Sequence, residues 1–219
     1  MTETDLLLWA RGPGFQWSIG LFLLGMALRG FELFSLGRRR DLAPPRTHSP
    51  GSGWRTIFTR SLPKWSTWRR APATPLIAYS FHIGFFATLL FFPPHIQTAR
   101  NIFGFSWSGL PSPLTDALTL LTLLAVAGLA AGRVLDPVKR LISGFDDYFV
   151  LFLSALPLLT GYFAFHHQVL PYTLMLALHI LSAELLLALI PFTSLVHFAT
   201  LAVGRWYNGD IAGKKGVAS

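Results

Sequence analysis

Residues 171–203 read PYTLMLALHILSAELLLALIPFTSLVHFATLAV, with Glu184 as the single charged side chain. A run this long and apolar predicts a helix that crosses a bilayer with a tilt and projects beyond it. Two histidines stand in it, His179 and His197, 18 residues apart. Eighteen residues are about five helical turns, so a continuous helix presents both imidazoles on one face, about 27 Å apart along its axis. That span is close to the thickness of the hydrocarbon core, so one nitrogen ligand falls near each membrane surface. Pro191 lies between them and predicts a kink.

Four further apolar runs precede this one. Together they predict an all-α integral membrane bundle of five transmembrane helices, over residues 15–34, 75–92, 113–132, 147–165 and 171–203. The second run stops at Pro93-Pro94, which cannot continue a helix. Composition agrees. The chain of 219 residues is 52% hydrophobic with a mean hydropathy of +0.49. Its 13% of charged residues is about half the usual share of a soluble domain. The spans leave no room for a second sizeable domain, so residues 1–219 read as one membrane domain. The N-terminus lacks the basic start and cleavage site of a signal peptide, so the first span is expected to persist. With no cysteine, disulfides, cysteine-bound clusters and covalently attached c-type haem are excluded.

The charges assign a direction. Nine Lys or Arg residues lie between the first two spans, from Arg38 to Arg70. Arg133, Lys139 and Arg140 lie between the third and fourth, and Arg205, Lys214 and Lys215 follow the fifth. The other side carries Arg11 and Arg100. This bias places the N-terminus outside and the C-terminus in the cytoplasm. It also explains the net charge of +8 without nucleic acid. The basic stretch over residues 37–73 is either a solvated positive-inside loop or a surface that orders against a partner.

Six of the seven histidines sit in spans or at their ends; His48 alone lies in the basic stretch. Intramembrane ionisable groups are costly and mark function by default, and imidazole is the usual axial ligand of b-type haem. Depth suggests the pairing. The second span rises from the cytoplasm and the fifth descends to it, so His82 and His197 can share an inner haem. His179 needs an outer partner. His95 is 13 residues beyond His82, about 3.6 turns, which does not restore the same helical face; Pro93-Pro94 could redirect the chain and rescue it. His166 and His167, at the outer end of the fourth span, are the alternatives.

At these residues the chain resembles the cytochrome b subunits typified by the gamma subunit of respiratory nitrate reductase. Relatives of that type include the membrane subunits of heterodisulfide reductase and of sulfite-reduction-associated electron-transfer complexes. The matching stretches are Phe81-His82-Ile83-Gly84, Leu159-Thr160-Gly161-Tyr162, His179 with Ile190-Pro191-Phe192, and Leu195-Val196-His197-Phe198, together with Arg29. The resemblance implies five helices, two b haems between the second and fifth spans, and a quinol site near the outer haem. Electrons would pass to a cytoplasmic iron–sulfur partner that carries the terminal chemistry. By motif, His82 and His197 match the inner ligands and His179 one outer ligand. The chain departs at the fourth ligand, where the nitrate reductase subunits place a histidine ten residues after the first. Phe92 stands there, which allows one haem rather than two. It departs again at Ser194, where relatives carry a basic residue able to meet a haem propionate; Arg29 or Arg205 are the substitutes.

A site for a quinol such as menaquinol needs a proton acceptor and apolar walls. The candidates are His95, Arg100, Asp116 and His166. Glu184, five residues after His179, either hydrogen-bonds a neighbour or handles protons. The competing readings are a haem-poor membrane anchor and a proton or metal transporter built on intramembrane histidines.

Overall fold

The computed structural model describes residues 2–35, 44–47 and 52–217; Arg38, Arg39, Arg40 and His48 of the basic stretch lie outside the described residues. Among the described residues there are helices and no strand. The chain opens with α1 (Glu3–Trp9), where Thr2 and Asp5 cap each other reciprocally. A π-helical segment, Ala10–Gly14, leads into α2 (Phe15–Ser35). Pro13 lies inside that segment and has no N–H for the ordinary ladder, which the widened turn accommodates. Then follow α3 (Ser52–Thr59), α4 (Trp65–Arg70), α5 (Ala73–Phe91), α6 (Pro93–Phe103), α7 (Ser112–Leu135), α8 (Pro137–Ile142), α9 (Phe145–Phe165), α10 (Tyr172–Leu189) and α11 (His197–Lys214).

Five helical stretches are long and apolar enough to cross a membrane: Glu3–Ser35, Ala73–Phe91, Ser112–Leu135, Phe145–Phe165 and Tyr172–Phe192. They mark the chain as a membrane protein whose exposed leucines and phenylalanines, such as Leu24, Phe31, Leu124 and Phe152, would face lipid.

The residues group into two compact units. The first comprises Met1–Leu21 and Ala73–Leu189. Within it α5 packs on α7 through small residues. A Cβ at Gly84 would overlap the Thr122 side chain, which is fully buried. Thr115, Thr119 and Thr122 line the buried face of α7, and each donates its hydroxyl to the carbonyl four residues back, so no polar atom is stranded in lipid. The third span therefore serves packing, as its Leu, Ala and Thr content suggests. On α9, Leu153 is fully buried, as is Ala177 on α10. Asp136 caps α8, and the Asp147 carboxylate accepts the Gly144 N–H at the start of α9.

The second unit comprises Phe22–Pro72 and Ile190–Ser219. Here α3 lies against α11 at a glycine contact: a Cβ at Gly209 would overlap Thr56, and Gly53 abuts the Trp206 indole. The last carbonyls of α11, at Gly213 and Lys214, accept from Thr47 Oγ1 at 2.7 Å and the Arg46 N–H at 2.9 Å.

The expected helix over residues 171–203 does not run through. It ends at Leu189, passes through two 3₁₀ turns, Ile190–Phe192 and Ser194–Val196, and restarts at His197. Pro191 has no N–H to continue the ladder, and Thr193 is extended (φ −124°, ψ 175°), so the break is complete rather than a kink. The Pro191 carbonyl, left without its helical amide, accepts from Arg29 Nε at 2.8 Å. His179 and His197 therefore stand on separate helices, and the five-turn, one-face relation between them is withdrawn.

Candidate functional site

The turn between α5 and α6 shows how a proline pair builds a site. Pro93 and Pro94 form the first turn of α6 after Phe92, which is extended (φ −75°, ψ 123°). Lacking N–H groups, they cannot serve the Leu89 and Leu90 carbonyls at the end of α5. Two side chains take those carbonyls instead. Trp107 Nε1 donates to Leu90 O at 2.7 Å, and His95 Nδ1 lies 3.1 Å from Leu89 O and 3.3 Å from Thr88 O. The main-chain deficit created by the prolines thus fixes the orientation of His95.

His179 is fixed in the same manner from α10. Its Nδ1 lies 3.0 Å from Pro157 O, on α9, with Thr160 Oγ1 at 3.4 Å. Gly161 leaves room for the ring: a Cβ there would come within 2.8 Å of His179 Cε1 and 3.0 Å of Nδ1. Ser182 bridges Thr160 Oγ1 (3.0 Å) and the His179 carbonyl (2.8 Å).

The two imidazoles face each other, with ring centroids 6.0 Å apart and planes 14° from parallel. A carbonyl can only accept, so the proton of each neutral ring sits on Nδ1 and the lone pair is on Nε2. Among the described residues neither Nε2 has a hydrogen-bond partner. Burial holds the His95 imidazole below the usual histidine pKa, in the neutral form that a metal ligand needs. Two nitrogen–metal bonds of about 2 Å placed in line separate the ring centroids by about 6 Å. The observed pair has a centroid separation of that size. Among the described residues no three or more His, Asp or Glu gather as a site for a bare metal ion would require; a haem iron asks the protein for two nitrogens.

Phe92, which stands where the resemblance expects a ligand, packs its ring edge-on against His95 (5.0–5.2 Å contacts link it to both His95 and Phe165). Phe165 in turn meets His166 at 5.3 Å. His166 Nε2 lies 3.3 Å from Asp116 Oδ1, within ion-pair reach but unaligned for a hydrogen bond, and the Tyr162 ring lies tilted against its ring at 4.4 Å. His95, Asp116 and His166 therefore gather at one end of this unit. Arg100, on the last turn of α6, is exposed. His167, at φ 54°, stacks on Tyr172 at 4.7 Å instead of joining the pair.

Glu184 is buried on α10, its Oε1 without a hydrogen-bond partner, and its other oxygen would lie 2.8 Å from a Cβ at Gly14 of the π-helical segment. His82, on α5, has Nδ1 2.7 Å from Ala78 O, and so carries the same tautomer. In the second unit, His197 Nδ1 lies 2.8 Å from Ser194 O. Arg29 is engaged by Pro191 O and by Glu32 (2.7 Å), and Arg205 by Ser61 Oγ (2.8 Å), so both propionate candidates already have partners.

Sequence reasoning read Trp107 as an aromatic anchor near the outer interface rather than as a carbonyl donor, missed Pro157 and assigned Gly161 no task. The signal for Trp107 was present: two consecutive prolines announce two unserved carbonyls, which need donors from elsewhere.

No protein-family model matches the chain, and no solved structure matches it. A protein of Nitratidesulfovibrio vulgaris (strain Hildenborough), named only "Protein", is 36% identical over 155 residues, which cover 70% of this chain and 68% of that one.

Proposed function

The chain belongs to one family with the Nitratidesulfovibrio vulgaris protein, and we propose that it is a b-type cytochrome subunit of a respiratory membrane complex. It would exchange electrons between quinol and a cytoplasmic iron–sulfur partner. The observation that carries this reading is the His95–His179 pair: near-parallel rings 6.0 Å apart, each oriented through Nδ1 by a main-chain carbonyl. Outer-shell bonds of this kind fix the tautomer and ring orientation of a ligating histidine. Bound between them, haem b would supply reversible one-electron transfer at its iron.

The chain's own residues do the rest. Leu89 O and Pro157 O hold the ligand tautomers, Gly161 admits the His179 ring, and Phe92 and Phe165 supply apolar walls beside the pair. A second haem, held by His82 and His197, rests on the depth argument from sequence; the two histidines belong to different units. The charge bias supports an outward N-terminus, and the resemblance implies the cytoplasmic membrane of a prokaryote. The iron–sulfur partner is what the resemblance implies; the chain, which has no cysteine, cannot hold a cysteine-bound cluster itself. One observation favours a second reading, a proton-conducting membrane protein: the buried Glu184 with its unpartnered Oε1.

The test is a reduced-minus-oxidised spectrum of the purified protein with a pyridine haemochrome count. Two b haems per chain are expected, with one lost on either His95→Ala or His179→Ala. A protein that carries no haem when isolated with its native partners overturns the cytochrome reading.

A further inference from the structure

We infer that the segment from Ser52 to Arg70 lies in the headgroup layer of the membrane and binds anionic phospholipid there, whether or not the chain carries haem. The first helix of this segment, α3, has two unlike faces. Ser52, Gly53 and Thr56 are buried, with Gly53 against Trp206 and Thr56 against Gly209 of α11. At about 100° per residue, Trp54 and Phe58 fall on the opposite side of the helix. They keep 64% and 72% of their surface exposed, and Leu62 and Trp65, just beyond α3, keep 71% and 75%. The protein itself thus leaves these four large apolar side chains uncovered.

Charge identifies what covers them. Arg55, Arg60, Lys64, Arg69 and Arg70 are all exposed, and among the described residues none of them has an ion-pair partner. No Asp or Glu occurs between Asp41 and Asp116 to offset them. Arg205 of α11 adds a cation to the same patch, donating to Ser61 Oγ at 2.8 Å. Apolar side chains interleaved with unopposed cations complement a surface that is greasy within and anionic at its rim. Tryptophan suits that layer because its ring is apolar while its N–H can stay wet.

Chain length brings this surface within reach. The helix α4 ends at Arg70, and the next membrane-spanning helix begins at Ala73. Three extended residues reach about 10 Å at most. The headgroup layer is itself about 5–8 Å deep on each side of the hydrocarbon. The end of α4 therefore lies in that layer or directly upon it. A soluble protein partner would have to be recruited to this face; lipid already surrounds it.

The test uses the whole chain. Because it has no cysteine, Phe58→Cys and Trp65→Cys each accept one nitroxide label on the exposed apolar side. Each labelled protein is reconstituted into vesicles of phosphatidylcholine, alone or with phosphatidylglycerol in equal parts. Electron paramagnetic resonance then compares collisions with oxygen, which concentrates in lipid, and with a water-soluble nickel chelate. With phosphatidylglycerol present, both labels should favour oxygen; in phosphatidylcholine alone, both should shift toward nickel. Arg55→Gln, Arg60→Gln and Lys64→Gln together should lower the ratio of seated to lifted segment about 100-fold in the mixed vesicles, at about 5-fold per cation. Labels open to nickel in both membranes overturn the inference. So does an equal preference for oxygen in both membranes that the three substitutions leave unmoved, since the cations would then bind no lipid. Labels shielded from both reagents only when soluble partner subunits are added would make this a protein-docking face and overturn it as well.

Discussion

Gly161→Ala is a one-carbon change whose effect can be worked from the structure. The new methyl group would stand 2.8 Å from His179 Cε1 and 3.0 Å from Nδ1. Ordinary contact begins near 3.4 Å, so the ring has to retreat by about 0.6 Å. It has little room along α9, because Nδ1 is already bonded to Pro157 O at 3.0 Å. A retreat of that size stretches the bond to about 3.6 Å, beyond hydrogen-bond range. The ligand then loses its outer-shell partner. Such losses cost about 10- to 100-fold in metal affinity. The assay is haem titration of the apo-protein in detergent, with the occupancy of the pair read from absorbance. The reasoning predicts weaker binding at one of two sites and unchanged binding at the other. Wild-type affinity at both sites in Gly161→Ala would refute it, since the ring would then have moved without consequence or never have been the ligand.

Three further expectations follow from the same accounting. His95→Ala and His179→Ala should each remove the same single haem, seen as identical difference spectra; loss of different haems would show that the two rings do not share an iron. Trp107→Phe keeps an aromatic side chain but removes the donor to the Leu90 carbonyl that Pro94 cannot serve, so the protein should lose about 0.5–1.5 kcal/mol of stability, read as a lower Tm in detergent, and an unchanged Tm would contradict the proline account. Arg29→Met leaves Pro191 O without its donor and Glu32 without its ion pair; a loss of about 1–3 kcal/mol in a denaturation series is expected, and wild-type stability would show that the break before His197 needs no support from α2.

Much of the fold was legible because bilayer crossing is a length and composition problem. Five apolar runs announced five helices, and the ends at Phe91 and Phe165 lie within a residue or so of where the sequence put them. What failed was continuity. Residues 171–203 carry an unbroken apolar pattern, and periodicity does not register that Pro191 and an extended Thr193 end one helix and begin another. The same limit worked the other way at Pro93-Pro94. Counted along an ideal helix, His95 faces away from His82, yet the sharp turn at Phe92 carries it to His179. Site residues that act through main-chain carbonyls, such as Pro157, leave no side-chain signal at all. Donors such as Trp107 become legible only when each proline is read as a carbonyl that something else has to satisfy.

The most direct measurement is electron paramagnetic resonance of the oxidised wild-type protein beside His95→Ala and His179→Ala. Two near-parallel imidazoles on one iron give a low-spin ferric signal with well-separated rhombic features. That signal should be present in wild type and should convert to high spin or vanish in both variants. A wild-type protein with no haem signal, or a full set of low-spin signals identical in wild type and both variants, would contradict the assignment of His95 and His179 as a ligand pair.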